Sequence, residues 1–121
     1  MKIQTDKSKI HGIGVFATED IQKDEVIEIC PVIYLEKTDT KKIDKTLLFD
    51  YYFAWKKGGS AIALGKGSLY NHSYKPNAVY KKNFGNNTLT FVALKEIKKG
   101  EEILVNYNGD PGCREEVWFD K

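Results

Sequence analysis

A chain of 121 residues, 41% hydrophobic and 30% charged, suits one small globular domain with a modest core. Its net charge of +2 is too small to point to nucleic acid, and Arg114 is the only arginine, which disfavours bidentate recognition of phosphate or guanine. No apolar run is long enough to cross a bilayer, and Met1-Lys2-Ile3-Gln4 lacks the apolar stretch of a secretion signal, so a cytoplasmic protein without membrane contact is expected.

In chain order the pattern is mostly β. Gly12-Ile13-Gly14 leads into the apolar Val15-Phe16-Ala17. Two glycines let a backbone pass close to a neighbour or a ligand. This is not the dinucleotide fingerprint, because the third glycine and the following helix are missing. Val26–Ile29 and Val32–Leu35 read as two short strands, and Pro31 between them predicts a break or an edge position. Ile43, Leu47 and Leu48 predict a short helix over residues 39–49. Asp50-Tyr51-Tyr52-Phe53 and Trp55 form an aromatic cluster; read as a strand, it sets Tyr51 and Phe53 on one face and Tyr52 on the other. Gly58-Gly59 predicts a turn before a strand over 61–64, and Gly85-Asn86-Asn87 a hairpin between Val79–Lys82 and Leu89–Val92.

One internal echo crosses these elements. Ala17, Ile21, Lys23, Glu25 and Ile27 recur as Ala93, Ile97, Lys99, Glu101 and Ile103, at a constant offset of 76 residues. Two copies are too few for a solenoid and point to two similar β units within one domain. After residue 108 the chain turns polar, with Gly109, Pro111 and Gly112, and residues 111–121 read as a flap or tail. Cys30 and Cys113 have no metal-ligand spacing and His11 and His72 are the only histidines, so no metal site is expected and both thiols are expected to be free.

Two segments carry chemistry. Asn71-His72-Ser73 is followed by Pro76-Asn77, and Glu101-Glu102-Ile103-Leu104-Val105-Asn106-Tyr107 comes thirty residues later. In this order, with Gly12-Ile13-Gly14-Val15-Phe16 before them, they resemble the SET-domain protein-lysine methyltransferases over roughly residues 8–110. The motif in that family usually ends Asp-Tyr; here Asn106 precedes Tyr107.

The resemblance implies a β-clip fold with little helix, in which the Tyr107 segment threads beneath the Asn71 segment like a pseudoknot. It implies methyl transfer from S-adenosyl-L-methionine, leaving S-adenosyl-L-homocysteine. Gly12 and Gly14 would hold the methionine end of the cofactor. Asn71 would contact its amino group, His72 would meet the adenine through its backbone, and Asn77 would hold the loop. Tyr107 would be the principal catalytic residue and border the cofactor, with Tyr51 lining the lysine. Phe53, Trp118 and Phe119 would complete the channel. Many members close that channel with a three-cysteine zinc segment. Cys113 alone follows the motif here, as in the small viral and bacterial members that lack the segment.

The implied partner is a protein presenting a lysine, a histone tail among the candidates, and a homodimer is expected; a viral source would place the protein in a host nucleus. Val15-Phe16-Ala17 followed by Ile21–Ile27 also resembles the non-catalytic SAF and antifreeze-type β-clip modules, which have no use for the Asn71 and Tyr107 segments. A SET-like enzyme acting on a small molecule or a non-histone protein is the other alternative.

Overall fold

The computed structural model describes residues 1–108 and Gly112, so Cys113, Trp118 and Phe119 lie outside the described residues. Among the described residues, nine strands form two sheets. They are β1 (Ile3–Lys7), β2 (Ile13–Ala17), β3 (Val26–Leu35), β4 (Phe53–Ala54), β5 (Ser60–Ala63), β6 (Asn71–His72), β7 (Ala78–Asn83), β8 (Thr88–Ala93) and β9 (Glu102–Val105). The order is β1-β2-β9-β6 in one sheet and β4-β5-β3-β8-β7 in the other. Alternation does the sorting: along β8 Leu89, Phe91 and Ala93 turn inward, and along β9 Ile103 and Val105 do. With Val15 and Cys30 they belong to one buried core to which both sheets contribute.

Pro31 neither breaks β3 nor sits on an edge: one ten-residue strand runs through it at the centre of its sheet. The strand changes partner there. Residues up to Pro31 pair with β8, and Val32–Leu35 pair with β5. The missing N–H falls at this changeover, while the Pro31 carbonyl still accepts from Leu64 N at 3.0 Å.

The helix predicted over 39–49 forms only in part, as α1 (Lys37–Ile43) followed by a 3₁₀ turn, Leu47–Asp50. Thr46 causes the interruption: its Oγ1 donates to Ile43 O at 2.6 Å and accepts from Leu48 N at 3.2 Å. A threonine that caps both the end of one helix and the start of the next turn competes with continued helix. Tyr51 therefore ends a helical turn, and the strand reading of the aromatic cluster holds only for Phe53. The hairpin at Gly85–Asn87 is present, with Asn87 at φ +52°.

The echo is a structural one. Ile21 and Ile97 exchange backbone bonds, N to O, at 2.7 and 2.8 Å. Asp24 N donates to Ala93 O as Gly100 N donates to Ala17 O, and Ala93 N donates to Glu25 O as Ala17 N donates to Glu101 O. Even the turn carboxylates match: Glu25 accepts from Gln22 N, and Glu101 from Lys98 N. Each unit grips the other, so the polar turns form an interlocking pair.

The second unit delivers β9 between β2 and β6. It pairs antiparallel with β2 and parallel with β6, Asn71 opposite Leu104 and His72 opposite Val105. Asn77 ties the 71–77 loop across it, donating from Nδ2 to Glu102 O at 2.9 Å and accepting at Oδ1 from Leu104 N at 2.8 Å. Among the described residues, no helix is long and apolar enough to cross a membrane.

Candidate active site

Threading of β9 brings the two motif segments together. The Tyr107 amide donates to His72 Nδ1 at 2.9 Å, and the Tyr107 hydroxyl donates to the Tyr70 carbonyl at 2.6 Å. Tyr80 OH donates to the Tyr107 carbonyl at 3.1 Å. Three neighbours thus hold one tyrosine at its backbone and its tip. Burial pushes the Tyr107 phenol above its ordinary range, and Tyr51, Tyr80 and Glu102 add to the effect. At neutral pH it is a protonated donor and not a base. His72 accepts the amide at Nδ1, so its imidazole serves the loop geometry.

Tyr70, which supplies the carbonyl, is itself pinned. Its ring stacks on Phe91 at 4.0 Å and 18°. Its hydroxyl donates to Glu28 Oε1 at 2.8 Å, and Glu28 Oε2 accepts from Lys66 N at 3.0 Å. The buried carboxylate is therefore bonded at both oxygens, which is the condition for burying it at tolerable cost.

Two openings flank Tyr107. One is a cleft of about 620 Å³, bordered by Ile10, Gly12, Ile13, Asn71 and His72. Gly12 has φ +46°, and a Cβ there would meet nothing within 4 Å. The second is an aromatic channel of about 350 Å³ with walls from Phe49, Tyr52, Phe53, Tyr70, Tyr80 and Lys82. Asp50, Tyr51, Ser68 and Tyr107 line both. Gly12, Asn71 and His72 border the cleft, Phe53 the channel, and Tyr51 and Tyr107 both. Gly14 stands one step back from the cleft: a Cβ on it would collide with the Glu102 carboxylate and come within 3.0 Å of Asn71 Nδ2, so its missing side chain makes room for protein. Tyr52 shares the channel with Tyr51 and Phe53, because the turn replaces the predicted alternation. Trp55 is core; its Nε1 donates to Asn87 Oδ1 at 3.2 Å and its ring meets Phe84 edge-on.

Sequence reasoning missed Tyr70, Tyr80, Lys82 and Glu102. Tyr80 and Lys82 share a face of β7 by simple alternation, a signal available only once that strand is placed against the channel. Burial lowers the Lys82 pKa, and its Nζ donates to Ala54 O at 2.7 Å.

The chemical fit of the cleft to a nucleoside-linked amino acid can be tested on its donors. A volume of about 620 Å³ lies within the usual range for such ligands. Ile10 and Ile13 offer apolar surface, while Asn71 offers an amide. The residues fit. A cleft and an aromatic channel that share one wall, Tyr51 and Tyr107 included, suit the transfer of a group between two ligands. The comparisons agree. The SET-domain family model matches residues 12–108. A Schizosaccharomyces pombe histone-lysine N-methyltransferase specific for H3 lysine-37 is 38% identical over 110 residues, 90% of this chain and 71% of that protein. An H3 lysine-36-specific histone-lysine N-methyltransferase of Debaryomyces hansenii is 35% identical over 86% of this chain and 16% of its own length. A crystal structure from Plasmodium falciparum superposes with a TM-score of 0.74 at 36% identity, covering 90% of this chain and 99% of that one. This chain belongs to the SET-domain family.

Proposed function

We propose that the protein transfers a methyl group from S-adenosyl-L-methionine to the side-chain amine of a protein lysine. The carrying observation is that two separate openings share Tyr51 and Tyr107. A cofactor and a polypeptide could then approach from different sides and react at that wall. When bound, the sulfonium supplies an electrophilic methyl group.

The chain's own residues do the rest. Tyr51, Tyr52, Phe53 and Tyr80 give the lysine stem aromatic faces and attract its cation. Transfer needs the neutral amine, and a free lysine has a pKa of about 10.4, so desolvation in the channel favours the reactive form. The Tyr107 hydroxyl, anchored on Tyr70 O, and nearby carbonyls orient the amine and favour its developing charge. The released proton leaves to solvent through the open channel. No residue need act as a base.

The names of its relatives make a histone H3 tail the first substrate to test. Titration calorimetry with S-adenosylhomocysteine, followed by mass spectrometry of H3-tail peptides and a wider lysine peptide library, tests both parts. Micromolar binding and a gain of one methyl mass or more support the reading. No binding at millimolar ligand overturns it. The reading extends to self-association through the outer face of β3, where Ile29 and Ile33 are 61% and 50% exposed. Sedimentation showing only monomer at high micromolar concentration would remove that part.

A further inference from the structure

The Asn71 amide is not oriented by its own backbone alone. Here a carboxylate from β9 decides which amide atom a ligand can meet. Asn71 Nδ2 lies 2.8 Å from Glu102 Oε2 and 3.0 Å from the His11 carbonyl, with Ile13 O at 3.4 Å. All three neighbours are acceptors, so the amide can only present its nitrogen to them. Its Oδ1 accepts no hydrogen bond from the described residues, and Asn71 borders the cleft. Glu102 is held in turn by Ser8, whose hydroxyl is 2.8 and 3.0 Å from the two carboxylate oxygens. Gly14 keeps the approach open, since any Cβ there would strike Glu102.

We propose that Glu102 is a positioning residue for the cleft: held by Ser8, it locks the Asn71 amide so that Oδ1 accepts from the ammonium of an amino-acid-bearing ligand. It also places a negative charge one residue behind that contact, which favours the cation further. The proposal rests on the cofactor reading above and deepens it. An apolar residue at 102 would remove the shortest of the three bonds that hold the Asn71 nitrogen and leave only the His11 and Ile13 carbonyls, so the amide would be less firmly aimed.

The test uses two ligands that differ at the amino-acid end. S-adenosylhomocysteine carries the ammonium, and 5′-methylthioadenosine keeps the nucleoside and sulfur without it. Both are titrated calorimetrically into the wild type, Glu102→Gln, Glu102→Ala and Ser8→Ala. Glu102→Ala is expected to weaken S-adenosylhomocysteine about tenfold and Glu102→Gln and Ser8→Ala by about threefold each, with 5′-methylthioadenosine unchanged. Combined with Asn71→Ala, Glu102→Ala should cost little more, because both act through one contact. Equal losses for the two ligands, or no loss for either, overturn the proposal while leaving the cofactor reading intact. Wild-type protein that binds neither ligand overturns both. Ser8 is half-buried and lies outside the hydrophobic core, so Ser8→Ala reports the same difference should the Glu102 variants not fold.

Discussion

Tyr107 carries the largest functional expectation for one side chain. Tyr107→Phe keeps the ring and removes the hydroxyl that donates to Tyr70 O. Turnover should fall by about 10²–10³, while S-adenosylhomocysteine affinity stays within a few fold. Single-turnover methylation beside calorimetry separates the two, and near-normal turnover would make Tyr107 structural. Tyr70→Phe tests the layer behind it. Glu28 would keep Lys66 N and lose its tyrosine donor. A buried carboxylate left short of one bond should cost about 1–3 kcal/mol of stability, read from urea denaturation. Tyr107 and Asn71 stand out in the sequence because a short motif surrounds each. Tyr70 and Glu102 were in plain view beside those motifs, but their roles depend on a carbonyl and a carboxylate that only the folded chain aims.

At the scale of elements, local turn chemistry is legible in the sequence and partner changes are not. The Gly85–Asn87 hairpin needs only residues that tolerate its turn, and the 76-residue echo needs only a repeated pattern. The continuity of β3 through Pro31 depends on β5 and β8 dividing that strand between them, which nothing near Pro31 encodes. The length of α1 depends on Thr46 bonding in both directions. The interlocked turns also give an asymmetric prediction. Gly100 has φ +91° and its counterpart Asp24 has φ +68°. Gly100→Ala should cost at least about 1 kcal/mol, all of it from backbone strain, since a Cβ there meets nothing within 4 Å. In Asp24→Gly, relief of the same strain offsets the added freedom of the unfolded chain, so the change should be smaller. Melting temperatures of the two variants check the order.

The whole molecule should be sensitive to alkali. Burial, with Glu28 nearby, pushes the Cys30 thiol up to about 12, and burial pushes Tyr80 up to about 12. Tyr70 and Tyr107 are raised as well. Each is an acid that holds its proton longer when folded than when unfolded, where thiols ionise near about 8.5 and phenols near about 10. The folded state therefore binds more protons in that range, and stability must fall as pH rises. These groups contribute fully below about pH 8.5, and their contribution erodes up to about pH 12. Melting temperature should hold level from pH 7 to about 8.5 and then decline; a flat profile to pH 11 would show that these residues are not buried as described.

The position of β9 has a consequence for how the protein comes into being. It is an inner strand of its sheet, yet its residues leave the ribosome after every other described strand. At about 5–20 residues per second, β6 waits on the order of seconds for its partner. Until then β2 and β6 expose unpaired edges, and the wall shared by the two openings lacks Tyr107. A nascent chain halted before residue 102 has Gly12 and Asn71 but neither the carboxylate that orients the amide nor Tyr107. Incomplete copies thus lack both side chains and present strand edges open to pairing with other chains.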